Sequence, residues 1–387
     1  MNLLSRVSPR TGGVLLIAVA LLFAGPELYD VLGGWIVPGM DFLPLRNAAT
    51  GLLDGVSVFA DPLFVYPPTA AVALLPTAFG SVGAAFAGWV VAGAAALLLA
   101  ALLIARAAPR PHRLAIFAVA TMGLLGGVIA ARSLFLGNLS ELLVPIAVGV
   151  LLCFHRGRWV LGCALLAASL LIKPLLAPLL LVPILHRRWS ALLRTMVPAG
   201  GLLVLSVLLV PGGLDFPHVL RYVVSGTNLH GTNSINNLSL RGWAEGQGAP
   251  HTAAVVASAL VVVAVLWRVW RGGGSRLSPV WLGNVLLLMT FLAGGISEVH
   301  FLLSAYAGIM LFVVVHRLPS RIWVRFLPGL FLLAAPGPYL TLILGRHTDG
   351  QSWLVAAELL LFAALLATPV GGVRPAVRVR RAVAVAA

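Results

Sequence analysis

Seven short arginine clusters punctuate this chain, and the stretches between them carry almost no charge: Arg6/Arg10, Arg106/Arg110/Arg113, Arg156/Arg158, Arg187/Arg188/Arg194, Arg268/Arg271/Arg276, Arg317/Arg321/Arg325 and Arg374/Arg378/Arg380/Arg381. A run of about 20 apolar residues crosses a hydrocarbon core about 30 Å thick, and basic clusters between such runs mark the cytoplasmic side. Of the 387 residues, 60% are apolar and 10% charged, against about 45–50% and about 25% in soluble domains. That excludes a soluble enzyme, a DNA-binding protein and a disordered scaffold. The net charge of +15 sits in the clusters, where it faces anionic lipid. It predicts membrane lipid as a partner and no nucleic acid.

Charge-poor stretches place the spans at roughly 12–32, 82–105, 114–131, 139–154, 158–172, 174–186, 194–211, 251–267, 278–297, 299–316, 326–344 and 352–370. Arg6 and Arg10 precede an apolar run that no A-x-A cleavage site follows, so that run is expected to be the first span and not a signal peptide. Threading the spans alternately puts both termini and all seven clusters inside, with 20 of the 26 basic residues and none of the 11 acidic ones. The expectation is an all-α polytopic membrane protein, one domain over 1–387, with a basic cytoplasmic tail at 371–387. Two outer loops, 33–81 and 212–250, are too long to be turns. The stretch 69–80 is too short to cross and is expected at the outer interface, and Phe216–Tyr222 to open a short interfacial helix. Spans 158–172 and 174–186 go up and return, turning at Lys173-Pro174 within the outer half of the membrane. Cys153 and Cys163 are not expected to form a disulfide.

A charge inside a span is costly and usually faces a cavity or a partner. Lys173 is the only lysine in the chain. It reads either as a snorkelling residue at a helix end or as an anion contact at the bottom of an outward cavity. Arg132, Asn138-Leu139-Ser140-Glu141 and Glu298-Val299-His300 are placed at the same level by the topology. Asp41 stands in the first outer loop with Asp54 and Asp61 nearby, and is either a solvated loop carboxylate or a base. No metal-ligand spacing, Walker loop or dinucleotide fingerprint occurs. No cofactor or metal is therefore expected, and no cytoplasmic segment is long enough for a nucleotide. The Asn-x-Ser triplets at Asn138 and Asn237 are weak patterns from which no modification is read.

Several of these stretches resemble glycosyltransferase family 87, polytopic GT-C enzymes of the actinobacterial envelope, and within it the α-(1→3)-arabinofuranosyltransferase branch. Asp41-Phe42-Leu43-Pro44 with Gly51-Leu52-Leu53-Asp54-Gly55 is similar to the family's first-loop motif, and Phe64-Val65-Tyr66-Pro67-Pro68 to its Tyr-Pro-Pro element. Ile172-Lys173-Pro174 through Leu181, running on to Arg188-Trp189, is the most specific match. Gly137-Asn138-Leu139 and Asn233-Ser234-Ile235-Asn236-Asn237 resemble two further steps. Leu45 and Arg46 stand where the family has tyrosines, a departure that bears on the acceptor more than on the reaction.

The resemblance implies a GT-C bundle of about twelve transmembrane helices, working at the outer face on a polyprenyl-phosphate sugar. A lipid donor presents its phosphate at the depth of Lys173 and Arg132, where cations neutralise charge on the leaving group. Phosphate leaves without a strong acid, so one carboxylate base suffices for an inverting displacement. Asp41 is assigned that role. Tyr66, Asn138, Glu141, Asn236, Asn237, Glu298 and His300 are assigned to substrate binding, the last two as orienting groups. The expected reaction moves arabinofuranose from decaprenyl-phosphate-arabinose to a lipid-anchored or cell-wall glycan. The alternatives are mannosyl transfer from polyprenyl-phosphate-mannose to phosphatidylinositol mannosides, and a lipid-linked sugar flippase.

Overall fold

The computed structural model describes residues 38–225, 237–294, 297, 299–319, 322, 324–334 and 352–368. Among them every regular element is helical and no strand occurs. Lipid offers backbone groups no partner, so a chain this apolar satisfies them within helices. The expected first span, 12–32, part of the eleventh, 326–344, and the tail at 371–387 lie outside the described residues.

α1 (Phe42–Leu53), α2 (Pro68–Ala73) and a 3-10 turn at Leu75–Ala78 fill the described part of the stretch expected as the first outer loop. They form a platform with a small core of their own, in which Leu45, Ala49, Phe64 and Ala71 pack on Leu139, Leu143 and Val210. The Arg46 guanidinium ties the platform together by donating to the Thr77 carbonyl and, at 2.9 Å, to that of Gly80. α3 (Val82–Ala107) starts at Ser81, whose hydroxyl accepts the Ala84 N–H at 3.2 Å, a helix cap that replaces one missing backbone partner.

The span expected at 114–131 is instead two helices, α4 (Arg113–Leu125) and α5 (Val128–Leu136), bent by 56°. Gly127 leaves helical geometry at ψ 154° and ends the hydrogen-bond ladder there. α6 (Ser140–His155) and α7 (Trp159–Leu170) pack side by side. The returning limb begins as a 3-10 run, Pro174–Leu180, before α8 (Leu181–Leu185). Pro174, Pro178 and Pro183 lack the N–H that an α-helix interior needs. α9 (Trp189–Leu209) then leaves most of its surface open, as a lipid-facing helix does.

α10 (Phe216–Ser225) is the short helix expected in the second outer loop, followed by α11 (Leu240–Gly246) and α12 (His251–Arg271). Gly272-Gly273-Gly274 caps α12 and opens a 3-10 turn, Gly274–Arg276. α13 (Pro279–Ala293) and α14 (Leu302–His316) are buried on nearly every side and form the centre of the bundle with α6. Apolar area gives little drive between helices in lipid, so close contact and polar bridges hold them. At Gly308 α14 has no side chain to keep the Asn284 side chain of α13 away, and Asn284 Nδ2 donates to the Gly308 carbonyl at 3.0 Å. α15 (Leu327–Ala334) and α16 (Ser352–Ala367) pack against each other. Cys153 and Cys163 are free thiols.

α3, α9 and α12 are each long and apolar enough to cross a membrane alone, and the bent α4–α5 pair makes a fourth crossing if counted as one. The other apolar helices run 10–17 residues. Among the described residues the chain is therefore an all-helical bundle with several apolar helices.

Candidate functional site

The site forms where the platform of α1 and α2 meets the ends of α5, α6 and α14. Gly39 and Asp41 dock on the end of α5 by donating their N–H groups to the Phe135 and Leu136 carbonyls, both at 2.9 Å. Phe42 is fully buried, its ring 5.6 Å from that of Phe86 and 5.7 Å from that of Trp89. Trp89 Nε1 donates to the Gly137 carbonyl at 2.9 Å. Gly137 ends α5 in the left-handed region at φ +73°, and a Cβ there would lie 2.7 Å from Phe42 Cβ. Only glycine fits both demands. The Asp41-Phe42 and Gly137-Asn138 stretches are thereby interlocked.

Asn138 links the two charges that the sequence singled out. Its Nδ2 donates to Asp41 Oδ2 at 2.8 Å. Its Oδ1 accepts from Lys173 Nζ at 3.1 Å and from the Ser140 N–H at 3.0 Å. Lys173 Nζ also donates to Ser140 Oγ at 3.0 Å and lies 5.5 Å from the centre of the Tyr66 ring and 5.0 Å from that of Phe301. Neutral oxygens and aromatic faces both stabilise an ammonium without cancelling its charge. The turn that carries Lys173 is braced from both sides: its N–H donates to the Ser169 carbonyl at 2.8 Å, and the Thr69 hydroxyl of α2 donates to the Leu171 carbonyl. Lys173 is 8% exposed, which sets it inside the protein at the turn and not at the lipid boundary as a snorkelling side chain.

Glu141, buried in the first turn of α6, lies within electrostatic reach of both Lys173 and Asp41 and beside Ser133. Arg132 on α5 is half-buried, and its Nε has no hydrogen-bond partner among the described residues. His300 is buried in a 3-10 turn, Val299–Phe301, packed on α5 and α6, with its ring 4.9 Å from the Phe301 ring. Asn237 has its amide oxygen occupied by the N–H groups of Ser239 at 3.1 Å and Ser297 at 3.0 Å, and so fixes the backbone that leads to His300. Asn236 and Glu298 lie outside the described residues. Asp61 holds Asn47 Nδ2 at 2.9 Å and the Leu63 N–H at 3.0 Å, and Asp54 ends α1 in the open.

The structure thus brings Asp41, Tyr66, Asn138, Glu141 and Lys173 together, with His300 next to the Phe301 that faces Lys173. Sequence reasoning passed over Phe301 and Trp89, and named Ser140 only as part of the Asn138–Glu141 stretch without a role. Ser140 had a signal: Asn138-Leu139-Ser140 and Asn237-Leu238-Ser239 are two copies of one turn in which the asparagine oxygen accepts the serine N–H. Both asparagines are buried, at 4% and 3% exposure, which leaves them as turn residues and closes them to a modifying enzyme. Among the described residues no group of three or more His, Cys, Asp or Glu is placed to hold a metal ion. A half-buried carboxylate and a buried ammonium, joined through one amide, can take a proton from a hydroxyl and face an anion within one site.

A sequence profile of glycosyltransferase family 87 matches residues 64–294. The chain belongs to glycosyltransferase family 87. The family match takes in Tyr66, Arg132, Asn138, Glu141, Lys173 and Asn237 and begins beyond Asp41. The chain is similar to the alpha-(1->3)-arabinofuranosyltransferase of Mycobacterium tuberculosis, 25% identical over 295 residues covering 71% of this chain and 66% of that protein. The protein of the same name from Mycolicibacterium smegmatis is 27% identical over 301 residues, 71% of this chain and 66% of its own length. That of Corynebacterium glutamicum is 24% identical over 310 residues, 76% and 72%. The match therefore spans 66% of the length of the two mycobacterial relatives. No solved structure matches.

Proposed function

We propose that this family 87 protein is an inverting glycosyltransferase of the cell membrane that takes its sugar from a polyprenyl phosphate at the outer face. The observation that carries the reading is the Asp41–Asn138–Lys173 line, which sets a candidate base and the only lysine of the chain in one site. The acceptor hydroxyl attacks the anomeric carbon, and the bond from that carbon to the phosphate oxygen breaks. Asp41 takes the hydroxyl proton, and the polyprenyl phosphate departs with the bonding electrons. Lys173 and Arg132 stabilise the charge on the leaving phosphate. Tyr66, Asn237 and His300 shape the walls for sugar and acceptor.

Sidedness is supported by the helices that carry the site. α6 runs from Ser140 at the site to His155, next to Arg156 and Arg158, and α14 from Leu302 to His316, next to Arg317. About 1.5 Å per residue separates the two ends, with the arginines at the end that the positive-inside rule assigns to the cytoplasm. That orientation goes with the twelve-span threading. The names of the relatives favour arabinofuranose, from decaprenyl-phosphate-arabinose to a cell-envelope glycan.

The test is to incubate membranes containing the protein with radiolabelled polyprenyl-phosphate arabinose and, separately, polyprenyl-phosphate mannose. Label moving from the arabinose donor to glycan is the expected result. Label moving only from the mannose donor to phosphatidylinositol mannosides replaces the sugar assignment. Movement of lipid-linked sugar across vesicles without transfer replaces the enzyme by a flippase.

A further inference from the structure

We propose that Asn138 is a positioning residue that couples the base to the phosphate-binding cation, and that it acts through Asp41 and Lys173 instead of contacting the sugar. The inference rests on the function proposed above for what the two charges do, but the coupling itself is a property of the side chains. An amide has one acceptor oxygen and one donor nitrogen, and here both ends are taken by the two charged groups. The donor end holds one carboxylate oxygen, Asp41 Oδ2, which sets the carboxylate plane and leaves Oδ1 to take a proton. The acceptor end holds the ammonium on Lys173 and, through the Ser140 N–H, is itself fixed to the start of α6. Rotating the amide by 180° would put its NH2 against the ammonium and against the Ser140 N–H. The observed orientation is therefore the one the neighbours enforce.

The arrangement has a mechanical logic. Asp41 belongs to the platform and Lys173 to the turn after α7, elements that lie 97 and 35 residues from Asn138 in sequence. Asn138 is 4% exposed and follows the left-handed Gly137, whose carbonyl is held by Trp89. It is the most constrained of the three, so it is the reference against which the two charges are set. A shift of about 1 Å in a reacting group can cost about 100-fold in rate. One amide that sets both groups keeps the distance from base to phosphate constant when either element moves.

The two legs can be separated. Asn138→Ala removes both. Asn138→Asp keeps an oxygen for Lys173 and for the Ser140 N–H but sets a carboxylate against Asp41 Oδ2, which two carboxylates tolerate only by sharing a proton. The coupling predicts that Asn138→Asp lowers kcat about 100-fold with donor KM nearly unchanged, and that Asn138→Ala lowers kcat and raises donor KM together. A side chain that touches the sugar predicts a raised KM in both variants and little loss of kcat, and that result overturns the proposal.

A second readout does not depend on turnover. Because Lys173 is the only lysine, protein grown with 15N-lysine labelled at Nζ has one side-chain ammonium signal. Asp41→Ala is expected to move that signal in the native background, through Asn138, and to leave it in place in the Asn138→Ala background. An equal movement in both backgrounds means that Asp41 acts on Lys173 through space, and the bridge is then wrong. If the signal behaves as expected but the wild-type protein transfers no sugar from any polyprenyl phosphate, the coupling stands and the reaction proposed for the site falls.

Discussion

Asp41 and Asp61 are both loop aspartates with full sets of neighbours, yet their surroundings differ in kind. Both are half-buried, but Asp61 is occupied by Asn47 and its own turn, whereas Asp41 shares the Asn138 amide with Lys173. A positioned base contributes about 10²–10⁴-fold to a rate, and that is the role proposed for Asp41. Asp41→Asn is expected to lose that much turnover, and Asp54→Asn to keep nearly all of it, in an assay with the labelled donor. On the proposed role of Lys173, Lys173→Met takes away a charge-assisted contact to the donor phosphate, about 1.5–3 kcal/mol for bonds of that kind. Donor KM should rise about 10–100-fold, with Lys173→Arg between the two because charge survives and geometry does not. Gly137 is a third residue with a sharp expectation. An alanine there meets a left-handed backbone, a strain of roughly 1–2 kcal/mol, and the Phe42 Cβ besides. Gly137→Ala should lower the melting temperature of the solubilised protein well below that of Gly55→Ala, which shares the positive φ but has open space around it.

At the scale of elements, the platform and the α11–α12 junction are each tied by a charged side chain. Arg46 forks onto two carbonyls of the 69–80 stretch, and a lysine has no such fork. Arg46→Lys should make the stretch near Gly80 cut sooner in limited proteolysis while leaving the bundle intact. At the junction, Glu245 takes Arg241 Nε at 3.1 Å and His251 Nδ1 at 2.7 Å. Partial burial works against its charged form, but the hydrogen bonds from His251 and Arg241 outweigh it and hold the carboxyl below its ordinary range. A depressed carboxylate contributes stability that is present above its unfolded pKa, about 4.3, and lost as pH falls through the folded value. Melting temperature should therefore drop more steeply below about pH 4.3 in the wild type than in Glu245→Gln. Equal acid slopes would mean that the pair contributes nothing.

For the whole molecule the expectation is that the site and the arginine clusters face opposite sides of the membrane. Gly246 has open space around it and Ser275 is exposed in the turn after α12. In a background with Cys153 and Cys163 replaced, Gly246→Cys should react with an impermeant thiol reagent applied from outside, and Ser275→Cys only after the membrane is opened. The reverse pattern would turn the bundle over.

What the sequence determined by itself is the part that a solvent imposes one stretch at a time. Apolar runs become helices in lipid, arginine clusters between them are expected at one face, and a proline-rich return limb turns at Lys173-Pro174. Each follows from local composition, which is why α3, α9 and α12 fall close to their expected bounds while the Gly126-Gly127 break, a matter of two backbone torsions, did not show. Lys173 was also legible, as the single lysine of the chain, and the motifs at Asp41, Tyr66 and Asn138 were legible through their resemblance to family 87 stretches. Only the tertiary structure decided what they do to one another. The platform that carries Asp41, the first turn of α6 and the turn after α7 meet through side-chain contacts across 97 and 35 residues. No hydropathy or charge pattern carries that distance, since it depends on how helices pack and on one glycine that lets Phe42 close against Gly137.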